Sequence, residues 1–509
     1  MKNKNLYLTS LLACSATLAV AQKQQPNIIL FLVDDMGWQD TSVPFWTEET
    51  DLNKTYRTPN MERLAERGVK FTQAYACPVS SPSRVSLMTG ANVTQHKVSN
   101  WTLYKDKGTD SPNKLLTFEG WNYNGLSQDA STPHAFYCKA LPQILSDNGY
   151  LTCMVGKAHF GSLETPAADP LNVGFDVNIG GHAAGAMGSY LGKQNYGNKK
   201  AGTWTRPWGV PSLEAYHGSD VFLTEALTLE GKAFIDQSMA KEKPFFLYMS
   251  HYAVHAPFKE DIRFYQHYLD KGLSVKEAQY ASLVEGMDKS LGDLMDFVEK
   301  RGVAENTIIL FMSDNGGYSV GRGGEATQRN YPLRGGKGAC FEGGIREPML
   351  AYWPGVTNAG TVNTTPVIIE DFFPTILDMA QIKEKTLPQE IDGKSFVKSL
   401  KKGKGDMNRA LYFHYPNNWG ERREDVGVPQ SAIRKGDWKL IHYYETGVNE
   451  LYNIKEDISE KNNLATDNRY KKIANKLAKQ LSNQLKKNAS NMPFDKKTKA
   501  VVAYPDGTY

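Results

Sequence analysis

Cysteine is scarce, with five in 509 residues, and one of these, Cys14, lies in an apolar N-terminal stretch. The other four, Cys77, Cys138, Cys153 and Cys340, are too far apart to frame a zinc site and have no disulfide-like spacing. Cys77 reads as a small buried side chain. An excess of one charge is also missing: Lys and Arg number 59 against 55 Asp and Glu, a net charge of +4. Lys2 and Lys4 supply two of those charges in a segment expected to be removed, and a near-neutral remainder argues against a nucleic-acid binder. Beyond the N-terminus no run approaches the roughly 18 to 20 apolar residues that span a bilayer. No internal repeat is present.

The first residues, MKNKNLYLTSLLACSATLAVAQ, combine a basic start, an apolar stretch and a small-x-small ending at Ala19-Val20-Ala21. This predicts a signal peptide over residues 1–21 and a protein exported to the periplasm or secreted. Lipidation at Cys14 is the rival reading, but it leaves the apolar stretch 16–21 on the mature chain.

The length predicts a large domain over 22–384 and a smaller α+β domain over 385–509. Four apolar, β-rich runs each lead into polar residues of a catalytic kind. Residues 27–33 precede Asp34-Asp35, 150–155 precede Gly156-Lys157-Ala158-His159, 244–249 lead through Ser250 toward His255, and 307–312 precede Ser313-Asp314-Asn315. Near-continuous apolar runs suit strands buried on both faces, so the class is α/β with a large, mostly parallel sheet flanked by helices. Ligands gather at the carboxyl ends of such strands, which would bring these distant clusters together. Residues 58–68 predict a helix with Thr58 as cap, Pro59 in its first turn and Gly68 at its end. Residues 278–300 predict a core-facing helix. Further on come a helix over 371–380, a Lys-rich loop at 401–404, meander strands over 438–444 and 450–454, a small antiparallel sheet, and a helix over 470–486.

Ser80-Ser81-Pro82-Ser83-Arg84-Val85-Ser86-Leu87-Met88-Thr89-Gly90 places a hydroxyl just ahead of a Pro-initiated helix with an arginine one turn inside. A helix N-terminus with an arginine suits an anion, although an ordinary Ser-capped helix has the same pattern. The segment resembles the signature of the formylglycine-dependent (type I) sulfatases of the alkaline-phosphatase superfamily, with Ser80 at the modified position and Met88 in place of the usual Leu. Lys157-Ala158-His159, His255-Ala256-Pro257, Leu333-Arg334-Gly335-Gly336-Lys337-Gly338 and Glu342-Gly343-Gly344-Ile345-Arg346-Glu347-Pro348 are similar to further blocks of that family. The resemblance spans roughly 27–355 and weakens beyond it.

The resemblance implies an alkaline-phosphatase-like fold and hydrolysis of sulfate esters. It also implies that Ser80 is oxidised to formylglycine (3-oxoalanine), the serine form pointing to a bacterial iron–sulfur radical maturation enzyme as partner. Asp34, Asp35, Asp314, Asn315 and the Ser80-derived group are implied as ligands of one calcium ion, which prefers six to eight oxygens. Asn315 stands where related phosphatases carry a zinc-binding His, and Asn is a poor zinc ligand; magnesium stays open. Arg84, Lys157 and Lys337 are implied to neutralise charge on the sulfate, His255 with Lys337 to protonate the leaving oxygen, and His159 to accept a proton from the second hydroxyl.

A sulfated carbohydrate is the expected substrate and partner, since sugars dock on aromatic faces and sulfates on cationic side chains. Galactose or N-acetylgalactosamine sulfate comes first, and uronic acid or glucosamine sulfate next. His182, Arg334, and the segments 180–185, 204–217 and 415–419 are candidate substrate contacts. A phosphate or phosphonate ester hydrolase and a non-catalytic glycan binder are the alternatives from other classes.

Overall fold

The computed structural model describes residues 25–197, 207–318, 329–419 and 426–508. The expected signal peptide and the first part of the 204–217 segment lie outside the described residues.

A nine-stranded mixed sheet forms the centre of the described chain. Its strands are β1 (Asn27–Val33), β2 (Val69–Tyr75), β3 (Leu151–Gly156), β4 (Val177–Ile179), β5 (Phe245–Ser250), β6 (Thr307–Ser313), β7 (Arg346–Tyr352), β8 (Thr361–Asn363) and β9 (Val367–Ile368). The order is β8-β2-β7-β6-β1-β5-β3-β4, with β9 paired to β2. The four runs picked out in the sequence are thus four neighbouring strands, β6-β1-β5-β3, and all pair in parallel. Every residue of these four is buried, which is why they read as unbroken apolar runs. One core carries Ile28, Leu30 and Leu32 on one face of the sheet. A second carries Ile29, Phe31 and Val33 on the other.

Helices cover both faces. Among them are α1 (Pro59–Arg67), α2 (Ser80–Thr89), α3 (Leu223–Ala240), α4 (Val275–Lys300), α5 (Phe372–Met379) and α6 (Lys471–Lys487). Thr58 does not cap α1 through its side chain. Its hydroxyl is bonded to Thr41 and Ser42, and the first amides of α1 donate instead to the Asp288 carboxylate of α4. The predicted Lys-rich loop is also partly helical, because Lys401 and Lys402 end a short helix, Val397–Lys402, closed by a left-handed Gly403.

The chain after 385 forms a four-stranded antiparallel sheet of β10 (Ala410–Tyr415), β11 (Gln430–Lys435), β12 (Trp438–Tyr443) and β13 (Asn449–Asn453). One face of it, with Leu411, Phe413, Ala432 and Ile441, joins the main core. The other, with Ile433, Leu440 and Leu451, packs on Leu477, Leu481 and Leu485 of α6. The two sheets are also tied by fully buried charges: Lys439 Nζ of β12 lies 3.0 Å from Glu342 and 2.8 Å from Glu460. Arg346 and the Tyr75 hydroxyl meet the second oxygen of Glu342.

Candidate active site

Because β6, β1, β5 and β3 run parallel, Asp314-Asn315, Asp34-Asp35, Ser250 and Lys157-His159 emerge at one edge of the sheet. Successive residues of a strand point to opposite faces, so a strand alone could not aim both Asp34 and Asp35 at one point. The chain turns sharply instead, with Asp35 in the left-handed region at φ +60°. His159, at φ +57°, makes the corresponding turn after β3. Left-handed backbone costs a non-glycine residue roughly 1–2 kcal/mol, so both turns are held by their surroundings. Met36 N–H donates to Ser313 Oγ at 3.0 Å, and Asp35 N–H to Asp314 Oδ1 at 3.3 Å. Gly37, Gly316 and Gly317 leave no room for a Cβ: one on Gly317 would lie 2.9 Å from the Gly37 Cα. Small residues let the two turns touch.

Ser80 opens α2 rather than preceding it, and Val79 holds the N-cap position without a side-chain cap. The Ser80 hydroxyl is directed into the acidic cluster, 3.1 Å from Asp34 Oδ1 and 3.0 Å from Asn315 Oδ1. This differs from an ordinary capping serine, whose oxygen accepts a backbone amide of its own helix. Arg84, one turn further on, is fully buried and donates to Asp314 Oδ2 at 2.9 Å, the Lys157 carbonyl at 2.8 Å and Ser250 Oγ at 2.6 Å.

Two lysines enter from opposite sides. Lys157 Nζ donates to both oxygens of Asp34, at 2.8 and 2.7 Å, and lies 3.0 Å from Ser80 Oγ. Lys337 Nζ meets Asp35 at 2.6 and 2.9 Å. The Lys337 loop is glycine-lined for a reason: Cβ atoms on Gly343 or Gly344 would run into backbone oxygens of Arg334, Gly335 and Gly336.

His255 Nε2 lies 3.6 Å from Asp35 Oδ2. Its Nδ1 donates to the Ala256 carbonyl at 2.5 Å, which leaves Nε2 as the nitrogen that gains and loses a proton. Burial, with Lys337 nearby, pushes His255 down to about 3. His159 is buried and held neutral by burial and by the adjacent Lys157 and Arg84. Its Nε2 donates to the Thr102 carbonyl at 2.9 Å, and the Ser81 hydroxyl stands 3.0 and 3.3 Å from the two ring nitrogens.

Oxygen atoms of Asp34, Asp35 and Asp314 lie within 4.8 Å of one another, all buried. Burial raises Asp34 to about 7 in spite of Lys157, with Asp314 and Asp35 adding to the rise. Burial also acts on Asp35, but Lys337, His255 and Lys157 outweigh it and hold that carboxyl low. The donor set is three carboxylates, the Asn315 amide oxygen and the Ser80 hydroxyl. These are hard oxygens without a soft ligand, and they suit calcium or magnesium. Ser80 has one proton for two nearby acceptors, an arrangement that fits oxygens grouped around a cation better than around a hydroxyl.

The structure therefore gathers Asp34, Asp35, Ser80, Arg84, Lys157, His255, Asp314, Asn315 and Lys337 into one contact network. His159 lies beside it through Ser81 and the Lys157 turn. His182 is one step outward: its carbonyl accepts from His159 N–H at 3.2 Å, and its ring meets the Tyr252 hydroxyl at 3.0 Å and the Pro207 carbonyl at 2.9 Å. Arg334 donates to the Tyr452 hydroxyl at 3.1 Å and the Glu460 carbonyl at 3.2 Å and stacks over Phe341, none of them in this network. Ser81 and Ser250 lie inside two of the motif segments and Thr102 outside all of them, and nothing local in the sequence marks any of the three as a partner of His159 or Arg84.

Comparison with known proteins gives two family matches. Residues 26–382 match the model described as Sulfatase, and residues 336–487 the model described as N-sulphoglucosamine sulphohydrolase, C-terminal. A "Sulfatase" of Formosa agariphila is 30% identical, covering 97% of this chain and 96% of that one. The N-acetylgalactosamine-6-sulfatase of Mus musculus is 30% identical, over 81% of this chain and 72% of its own. Among solved structures, Ps i-CgsB in complex with k-i-k-neocarrahexaose superposes with a TM-score of 0.71 at 29% identity, covering 91% of this chain and 94% of the other.

Proposed function

The chain belongs to the sulfatase family and is an enzyme that hydrolyses sulfate esters; from that premise we propose that it is exported and desulfates a sulfated carbohydrate, using a formylglycine formed from Ser80 and one calcium ion. The observation that carries this reading is the Ser80 hydroxyl, within 3.1 Å of Asp34, Asn315 and Lys157 together. A formylglycine at position 80 supplies, as its hydrate, two hydroxyls on one carbon, one to take sulfur and one to release sulfate, while calcium supplies positive charge to the sulfate oxygens.

The residues around it divide the remaining work. Arg84 orients Asp314 and adds charge from the helix side, and Lys157 and Lys337 draw electron density from the non-bridging oxygens as it builds. His255 donates from Nε2 to the departing sugar oxygen. The free site disfavours its protonated form, so the proton arrives only with the substrate, whose negative sulfate favours the charged imidazole. His159, fixed by Thr102, has Nδ1 as its basic nitrogen and serves as the acceptor for the second hydroxyl.

The relatives support a sulfated glycan as the substrate class. One is an N-acetylgalactosamine-6-sulfatase and another is solved with a neocarrahexaose, so galactose or N-acetylgalactosamine sulfate is placed ahead of uronic acid or glucosamine sulfate. Export rests on the N-terminal 21-residue pattern, and among the described residues no helix is long and apolar enough to cross a membrane. Maturation would then precede export, with a radical enzyme as partner. The test is release of sulfate from singly sulfated monosaccharides beside release of phosphate from matched phosphate esters, with metal analysis of the active protein. Sulfate release with calcium bound supports the reading. Preferred release of phosphate, or two bound zinc ions, overturns it.

A further inference from the structure

We propose that the outer face of α6 holds a strand of sulfated polysaccharide against the protein, away from the catalytic centre; this rests on the carbohydrate reading above. The near-neutral total charge hides a division between the two parts of the chain. Residues 385–509 hold 24 Lys and Arg against 15 Asp and Glu, a surplus of nine positive charges, while the remainder holds 35 against 40, a deficit of five. The surplus is densest at α6, since no acidic residue occurs between Asp467 and Asp495.

The helix sorts its residues by face. Leu477, Leu481 and Leu485 pack on the small sheet, and Lys471, Lys472, Lys476, Lys479, Lys486 and Lys487 are all exposed. At 100° per residue these six lysines fall on the side opposite the leucines. Only Lys487 has a carboxylate within ion-pair distance among the described residues, Glu390 at 2.7 Å. A solvated helix face ordinarily mixes its signs, as α4 does with Lys289 beside Asp293. In α6 the charges work against the helix instead. Lys471 and Lys472 stand in the first turn, with no acidic residue there and no side-chain cap, where the helix dipole repels cations. Lys472 and Lys476 are like charges one turn apart. A face that breaks local rules in one direction fits a polyanion, which would neutralise every one of these charges.

The shape of the face selects among polyanions. The lysines run along all 17 residues of α6, about 25 Å of helix, so the row suits a repeating strand rather than a single anion. Lysine is a hydrated point charge without arginine's fixed fork, which suits sulfates whose spacing and orientation vary. An anionic membrane is the lesser fit, because a helix that lies on lipid needs a free apolar face and that of α6 is already buried. The face is also distinct from the site. Gln484 and Asn488 in and after the last turn of α6 donate to Thr94 Oγ1 at 3.2 and 2.8 Å, five residues past the end of α2 that lies opposite Ser80.

The experiment measures binding of dextran sulfate, uncharged dextran and phosphatidylglycerol vesicles to the matured full chain. Two variants accompany it: Lys472→Gln, Lys476→Gln and Lys479→Gln together, and the same three positions changed to Arg. Gln and Arg are good helix formers, and turnover of 4-nitrocatechol sulfate, expected to be equal in all three proteins, checks that fold and site are intact. Three exposed ion pairs are together worth about tenfold in affinity. The expected result is dextran sulfate binding that weakens with salt, falls at least about tenfold in the Gln variant and is kept in the Arg variant, with no binding of dextran. Equal affinity of the wild type and the Gln variant for dextran sulfate overturns the face alone and leaves sulfate release from sugar esters untouched. Vesicle binding that exceeds dextran sulfate binding and is lost in the Gln variant assigns the face to a membrane and overturns the polysaccharide. Release of sulfate from 4-nitrocatechol sulfate but from none of the singly sulfated monosaccharides overturns the carbohydrate reading, and the polysaccharide strand with it.

Discussion

Lys157 Nζ is 3.0 Å from Ser80 Oγ while binding both oxygens of Asp34, so one ammonium group touches both the proposed nucleophile and a candidate metal ligand. Lys157→Met keeps the length of the side chain and removes the charge. Losing a preorganised cation from a buried site costs about 10²–10³ in kcat, and KM should change much less. Steady-state kinetics on an arylsulfate ester checks this; a fall confined to KM would assign Lys157 to substrate binding alone.

Gly185 lies against the His159 ring, where a Cβ would be no more than 2.8 Å from three ring atoms. Gly185→Ala therefore forces the imidazole off Thr102 and Ser81. Overpacking of this kind costs about 1–3 kcal/mol, and activity should fall by about tenfold or more if the ring must stay in place. Thermal melts and kcat measured together distinguish displacement of the ring from loss of the fold.

The Lys439 ion pair joins the small sheet to the segment that carries Lys337. Lys439→Met leaves Glu342 and Glu460 buried without their shared cation, and breaking such a pair costs about 3–5 kcal/mol. Urea unfolding at neutral pH should show a loss of that size. A change below about 1 kcal/mol, typical of exposed pairs, would contradict the burial.

His96, His251 and His414, outside the Ser80 cluster, are buried and neutral. Burial brings His96 and His251 down to about 3 and His414 to about 4. Their folded affinity for protons is below the unfolded value near 6.5, so the unfolded chain binds more protons as the pH drops. The stability they contribute is whole above 6.5 and is lost progressively toward pH 3–4, by roughly 1.4 kcal/mol per pH unit for each group. Melting at pH 7 and pH 5 should show a marked fall, and His414→Gln should reduce its slope.

How much of this was legible in the sequence follows from the physics of each element. The four central strands could be read because burial on both faces writes an unbroken apolar run, and parallel pairing then placed Asp34, Lys157, His255 and Asp314 at one edge. β2 and β7 write no such run: β2 mixes Lys70, Thr72 and Gln73 into its pattern, and β7 opens on Arg346, Glu347 and Pro348. The sheet is therefore mixed at one side. Thr58 looked like a cap, but Asp288, some 230 positions away, takes that part. The bonds of Ser99 to Asn417 and Asn491 carry no local signal, because they join residues 318 and 392 positions apart.

The central claim is that Ser80, oxidised to an aldehyde, carries turnover. Its most direct test is the mass of the peptide containing Ser80 in protein made with and without a radical sulfatase-maturing enzyme, measured beside specific activity. The account predicts a peptide lighter by two hydrogens whose fraction rises in proportion to activity, and no turnover in Ser80→Ala. Full activity in protein whose Ser80 peptide has the mass of unmodified serine would contradict it.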